Sequence, residues 1–316
     1  MKNQRSTTNG VVLALGSGSA PGLAHVGVLQ VLAEHEIPVR AIAGCSIGAE
    51  IGAFVASGMS VADLTTVASS FDWKDTLQLF LPGLTNGGLV SGINIMNFLN
   101  GWIGAHRIEE LGMGYLAVAT DLEGGTQVIL DRGDLVAAVR ASISTPGLLV
   151  PHRVGSRLLV DGALVNPVPF DVARAHFGGP VVAVSLHGDR ANTTPARRAP
   201  QWGAQWRQLL QQSWIERAPA LRGWLEAQVH SRGTTSDAGQ ILSARQVLER
   251  SAQIMQAEII RWRLASNPPD LMISPEVADI GMLEFYRAKE AIAAGRAAAE
   301  AHLDRILDLC AAGHAA

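Results

Sequence analysis

Apolar positions near the start of the chain change rhythm in a fixed order. Val11–Leu15 (VVLAL) is a continuous aliphatic run ending at Gly16, which predicts a buried strand. The glycine-rich stretch GSGSAPG (16–22) follows. LAHVGVLQVLAEHEI then places Val28, Leu29, Leu32 and Ala33 at helical spacing, with Pro21 where a first-turn proline is tolerated. Pro38 stops that helix, and VRAIAG (39–44) predicts a second buried strand. Ser46 stands just past its end, and IGAEIGAFVASG continues as a helix closed by Gly58. Strand, loop, helix, strand, turn, helix is a βαβα start. It predicts an α/β fold, with a parallel sheet covered by helices.

The same reading extends downstream. YLAVATDL (115–122) and TQVIL (126–130) predict strands around Glu123-Gly124-Gly125, and DLVAAVRASIS (134–144) predicts a helix stopped near Pro146. RLLVDGALVNPVP (157–169) reads as a strand running into a turn-rich loop. FDVARAHF reads as a helix, PVVAVSLHGD (180–189) and DLMISP (270–275) as strands. FYRAKEAIAAGRAAAEAHLDRILDLC reads as one long Ala-rich closing helix. Residues 190–240 differ in character, holding Trp202, Trp206, Trp214 and Trp224 between polar flanks. They read as a helical cap inserted into a single domain spanning 1–316. Trp202, Trp206, Leu209, Leu210 and Trp214 recur at helical spacing with arginines between. That pattern suits packing on the domain or a homodimer interface, or peripheral membrane contact through 202–224.

Composition changes this picture little. Hydrophobic residues make up 48% and charged residues 17%, ordinary for a globular chain of 316 residues, and a net charge of −3 gives no reason to expect nucleic acid as a partner. Cys45 and Cys310 are far apart and in no metal-type spacing. This fits a reducing, cytoplasmic setting, without a disulfide framework. The apolar run near the start is shorter than the ~7–15 residues of a secretory core, and no run reaches the ~18 residues of a membrane span. No metal or other cofactor is expected.

The chemistry centres on Gly44-Cys45-Ser46-Ile47-Gly48, a G-x-S-x-G pentapeptide. Three fixed positions are a weak pattern alone. A strand before it and a helix after it are the context of a nucleophile elbow, with Gly44 and Gly48 allowing a tight turn and close packing. The helix N-terminus favours negative charge developing at Ser46. GSGSAPG supplies backbone N–H donors where an oxyanion would form, Gly18 and Ser19 foremost. The same loop fails as a dinucleotide fingerprint, because Pro21 stands at its sixth position, and no Gly-Lys-Ser/Thr of a P-loop exists. For a base, His187 and His230 are available in chain order. The stronger candidate is Asp161, at the C-terminal end of an apolar strand, the edge that carries sites in open parallel sheets.

These elements in this order resemble the patatin-like phospholipase family, most closely its small bacterial members. The resemblance runs from VVLALGSGSAPGLAHVGVLQVL through AIAGCSIGAEIGA, LAVATDL, AVRASISTPGLLVP and VDGALVNPVPFDVAR to DLMISPEVADIGMLEFYRAKEAIAAG. It covers most of the chain outside 190–240. It implies a three-layer α/β/α sandwich with a mostly parallel sheet. It also implies a Ser46–Asp161 dyad in place of a triad, and an oxyanion loop at Ser17, Gly18 and Ser19. The implied reaction is hydrolysis of lipid or other acyl esters through an acyl-enzyme. One position departs from the family pattern: Pro21 stands where an Arg or Lys is usual. That departure leaves open an alternative, a weakly active or inactive regulatory or binding protein on the same fold.

Overall fold

The computed structural model describes residues 10–70, 90–187 and 244–312. The expected cap at 190–240, its tryptophans and His230 lie outside the described residues.

The first strand, β1 (Val11–Leu15), is fully buried along its length. The glycine-rich loop tightens into a 3-10 turn at Ala20–Leu23 and leads into α1 (Ala24–Glu34). Next come β2 (Val39–Cys45), α2 (Ile47–Ala56), α3 (Val61–Ser70) and α4 (Ile93–Ile103). β3 (Gly114–Asp121) and β4 (Gln127–Leu130) precede α5 (Leu135–Ser142), whose N-cap Asp134 accepts from the Ala137 N–H. β5 (His152–Val154), β6 (Arg157–Asp161), α6 (Phe170–Phe177) and β7 (Val181–Val184) follow. The chain closes with α7 (Ala244–Ser266), β8 (Leu271–Ile273), α8 (Ala288–Glu300) and α9 (Leu303–Ala312).

One eight-stranded sheet results, in the order β5-β6-β3-β2-β1-β7-β8, with β4 also paired to β3. β1, β2, β3, β7 and β8 run parallel to one another. β4 and β6 each pair antiparallel with β3, and β5 pairs antiparallel with β6 at the sheet edge. Alternate residues of a strand face opposite sides. Val11, Leu13 and Leu15 of β1 accordingly join a core under α1, α2, α5 and α8, while Val12 and Ala14 join a second core with Phe170 of α6 and Ile260 of α7. The architecture is a three-layer α/β/α sandwich on a mostly parallel sheet.

Two features depart from the sequence reading. The closing segment is not one helix. The His302 N–H bonds Ala299 O, an i→i−3 contact, and its ring bonds Ala298 O, so the ladder slips out of α register between α8 and α9. Also, α3, α4, β5 and α7 are regular elements that the apolar pattern did not announce.

The crucial placement is made by β3. Cys45, the last residue of β2, pairs with Val118, and Asp161, the last residue of β6, pairs with Ala119. Consecutive positions of one strand therefore carry the ends of two others, and residues 46 and 161 meet although 115 positions separate them.

Candidate active site

Ser46 occupies the sharp turn between β2 and α2 with φ 55° and ψ −124°, a conformation that side-chain-bearing residues rarely adopt. The flanking glycines serve close approach rather than unusual dihedrals. A Cβ on Gly44 would lie 2.4 Å from Ala49 Cα, and one on Gly48 would lie 2.2 Å from Leu15 O. Neither has positive φ, so the turn's strain sits on the serine itself. The Ser46 N–H donates to Ser142 Oγ (2.9 Å), and that hydroxyl donates to Val118 O (2.6 Å). The Ser46 carbonyl accepts from the Ala49 and Glu50 N–H groups, which starts α2. The turn is therefore held from both ends.

Ser46 Oγ donates to Asp161 Oδ2 at 2.7 Å. The same carboxylate oxygen accepts from Thr145 Oγ1 (3.0 Å), and Oδ1 accepts from the Ala163 N–H (2.9 Å). Asp161 is further fixed through its backbone, its N–H to Ser144 O and its carbonyl from Thr120 Oγ1. Burial pushes the Asp161 carboxyl above the usual carboxylate range, and the bonds from Ala163, Ser46 and Thr145 offset part of that rise. Neighbouring Cys45 is buried, and burial followed by the Asp161 charge raises its thiol well above normal, so it stays protonated and inert.

The glycine-rich loop passes beside the pair. Ser17 donates its N–H to Pro167 O, so its backbone donor is already used. Among the described residues the N–H groups of Gly18 and Ser19 have no backbone acceptor. Ser19 is itself strained, at φ 53°. Pro21 falls in the first turn of the 3-10 segment, where its missing N–H costs nothing. Below the loop, fully buried His25 bonds Gly16 O through Nε2 (2.8 Å), and burial lowers its pKa to about 4, so it stays neutral.

An apolar cleft opens at Ser46. Its walls include Leu23, Ile51, Phe54, Ile95, Leu149 and Phe285, and its polar groups are Ser19, Ser46, Glu50 and Thr145. The other base candidate within the described residues falls elsewhere, as do three further polar side chains. His187 bonds Gln256 of α7, not Ser46. Asp121 caps a turn through the Glu123 and Gly124 N–H groups. Buried Arg140 ties α5 to Ser144 Oγ, Ser91 O and Val150 O, a scaffolding arrangement. The Asn166 side chain bonds Gln127 and Asp171, and Arg263 of α7 joins the same cluster through Asp171 and Val165 O. Asn166 thus shapes its loop through side-chain partners. The sequence reading missed Ser142, Thr145 and Glu50. The hydroxyl-rich run ASIST at the end of α5, and one acid inside an otherwise apolar helix, were the signals available.

A serine hydrogen-bonded to a buried carboxylate, beside backbone donors with no backbone acceptor among the described residues and at the head of an apolar cleft, is an arrangement suited to hydrolase chemistry on an α/β/α sandwich. The comparisons agree: the Patatin-like phospholipase family model matches residues 13–174, and the chain belongs to that family. An uncharacterized NTE family protein of Mycobacterium tuberculosis is 34% identical over 337 residues, covering 95% of this chain and 92% of that one. Patatin-like phospholipase domain-containing protein 7 of Rattus norvegicus is 30% identical over 233 residues, covering 72% of this chain and 17% of that one. The solved structure of VipD from Legionella pneumophila matches with TM-score 0.42 and 13% identity, covering 96% of this chain and 67% of that one. Family membership places the protein broadly among lipid hydrolases. Among the described residues no helix is long and apolar enough to cross a membrane.

Proposed function

We propose that the protein is a serine acyl hydrolase acting on lipid esters through Ser46 and Asp161. The observation that carries the reading is the 2.7 Å hydrogen bond from Ser46 Oγ to Asp161 Oδ2 at the head of the apolar cleft. Asp161 takes the Ser46 proton as Oγ attacks the ester carbonyl carbon. The N–H groups of Gly18 and Ser19 receive the oxyanion. Collapse expels the alkoxide, which recovers the proton from Asp161, and an acyl-enzyme remains. Asp161 then deprotonates a water that releases the acid and regenerates Ser46. A carboxylate with an ordinary pKa is a weak base for a hydroxyl, so the burial that raises Asp161 favours this role. Thr145 and Ala163 orient the carboxylate, leaving Oδ2 directed at the nucleophile.

Labelling with an alkyl fluorophosphonate tests the reading. A single adduct on Ser46, mapped by peptide mass and absent from Ser46→Ala, is expected. No adduct on the wild-type chain would overturn it and leave the alternative, a regulatory or binding protein on this fold.

A further inference from the structure

The cleft contains one group that the proposed chemistry does not use. Glu50 lies on α2 one helical turn beyond Ser46, and both line the same cleft. Residues at this spacing share a helix face, with Cβ atoms about 5–6 Å apart. Glu50 is half-buried in this cleft, whose apolar walls include Ile51, Phe54 and Ile95. Among the described residues it has no hydrogen-bond or ion-pair partner. An unpaired carboxyl there is costly, and an unsubstituted alkyl chain threaded past it would leave the cost in place. A second negative charge next to the forming oxyanion also opposes the chemical step. Neither fact suits a cleft built for plain fatty acyl chains, and both change if the acyl chain brings a donor to Glu50.

We propose that Glu50 is a specificity-determining residue which selects acyl groups carrying a hydroxyl a few carbons from the ester carbonyl. The proposal rests on the reading of Ser46 as nucleophile, since it uses Ser46 to place the carbonyl. A hydroxyl fits better than an ammonium. Burial brings the Glu50 pKa to about 7, so both protonation states are present near neutral pH. A hydroxyl bonds to either state, donating to the carboxylate or accepting from the acid, whereas an ammonium needs the ionised form. The substituent lies near the carbonyl because Glu50 is only one helical turn from Ser46.

The test has a hydrolysis arm and a binding arm. Hydrolysis of methyl octanoate, its β- and δ-hydroxy derivatives, its β-methoxy derivative and its δ-amino derivative is followed for wild type, Glu50→Gln and Glu50→Leu. Wild type is expected to favour one hydroxy ester over plain octanoate by roughly ten- to a hundredfold in kcat/KM. The methoxy ester should be no better than the plain one. Glu50→Gln should keep part of the preference. Glu50→Leu should lose it. Binding of the same esters to Ser46→Ala and to Ser46→Ala/Glu50→Leu is measured by calorimetry, which requires no turnover. A hydroxyl preference in the first protein that is absent from the second supports the proposal even if no ester is hydrolysed, in which case only the catalytic reading fails. Equal binding of plain and hydroxy esters to Ser46→Ala, a preference that survives Glu50→Leu, or a stronger preference for the amino ester overturns it.

Discussion

Ser19 and Ser46 share one rare backbone conformation, φ 53° and ψ −135° at Ser19 against φ 55° and ψ −124° at Ser46. Each residue stands immediately before a helical segment, the first in the glycine-rich loop and the second after β2, and both line the cleft. A non-glycine residue held there costs on the order of 1–3 kcal/mol, and such strain persists where surrounding structure over-determines it. At Ser46 the surroundings are visible: Ser142 holds the N–H, the first turn of α2 holds the carbonyl, and Gly44 and Gly48 admit neighbouring backbone too closely for a side chain.

Glycine at position 46 would relieve that strain, because it adopts positive φ without steric cost. Relative to Ser46→Ala, which loses the same hydrogen bond to Asp161, and set against the added backbone entropy of the unfolded chain, Ser46→Gly should gain about 1 kcal/mol of stability. Fluorophosphonate labelling should disappear at the same time. Thermal unfolding of Ser46→Gly beside Ser46→Ala checks this: the glycine variant should melt above the alanine variant, and equal melting would show that the turn stores no strain.

Asp161→Asn preserves the shape of the pair and removes the proposed base. Labelling and ester hydrolysis should fall by roughly 10²–10⁴-fold while the fold remains. The wild-type pH profile follows from the direction of the Asp161 shift. Only the ionised carboxylate accepts the Ser46 proton, so kcat/KM should fall as pH drops through a value above the ordinary 3.8. Stability runs the other way. A carboxyl whose pKa is raised on folding binds more proton in the native state, so its contribution is complete below 3.8 and declines as pH rises through the folded value. A pH–rate profile with an acid limb at or below 3.8 would contradict the buried setting.

Ser142 bonds both the Ser46 N–H and Val118 O. Ser142→Ala strips two buried backbone groups of their partner, at about 1–3 kcal/mol for each unsatisfied group. Ser142→Ala should therefore lower the unfolding midpoint in denaturant and also slow labelling at Ser46, while Ser142→Thr restores part of both. Loss of stability with an unchanged labelling rate would separate Ser142 from the elbow.

The rise of the Glu50 pKa from 4.5 to about 7 makes it a stability switch of the same sign. Its contribution is fully present below pH 4.5 and is lost as pH rises through about 7, a difference of about 3 kcal/mol. Glu50→Leu should therefore melt higher than wild type at about pH 8, with the advantage shrinking toward about pH 5. A gain independent of pH would mean that the carboxyl titrates normally.

The local chemistry of the chain decided a good deal. The aliphatic runs at 11–15 and 39–44, the stops at Gly16 and Pro38, and the Asp134 cap needed no distant partner, and their elements lie within a residue of where the apolar pattern put them. Asp161 was legible as a carboxylate at the end of an apolar strand. The helices α3, α4 and α7 were not, since their apolar positions become meaningful only against the surfaces they cover. α7 shows why: Ile260 packs inward while Trp262, two residues on, is 76% exposed.

What the sequence by itself determined is the βαβ frame, the elbow at Ser46 and the candidate status of Asp161, because strand runs, helix stops and tight turns are set by neighbouring residues. Tertiary structure decided the rest. β3 presents consecutive positions to β2 and β6, which closes a gap of 115 residues to 2.7 Å. The hydroxyls of Ser142 and Thr145 acquire partners only through that pairing, and Glu50 becomes a half-buried carboxyl only when α2 turns one face to the cleft. Hydrogen bonds across such separations, and the burial that shifts a carboxyl, are properties of the folded surroundings, and no local spacing encodes them.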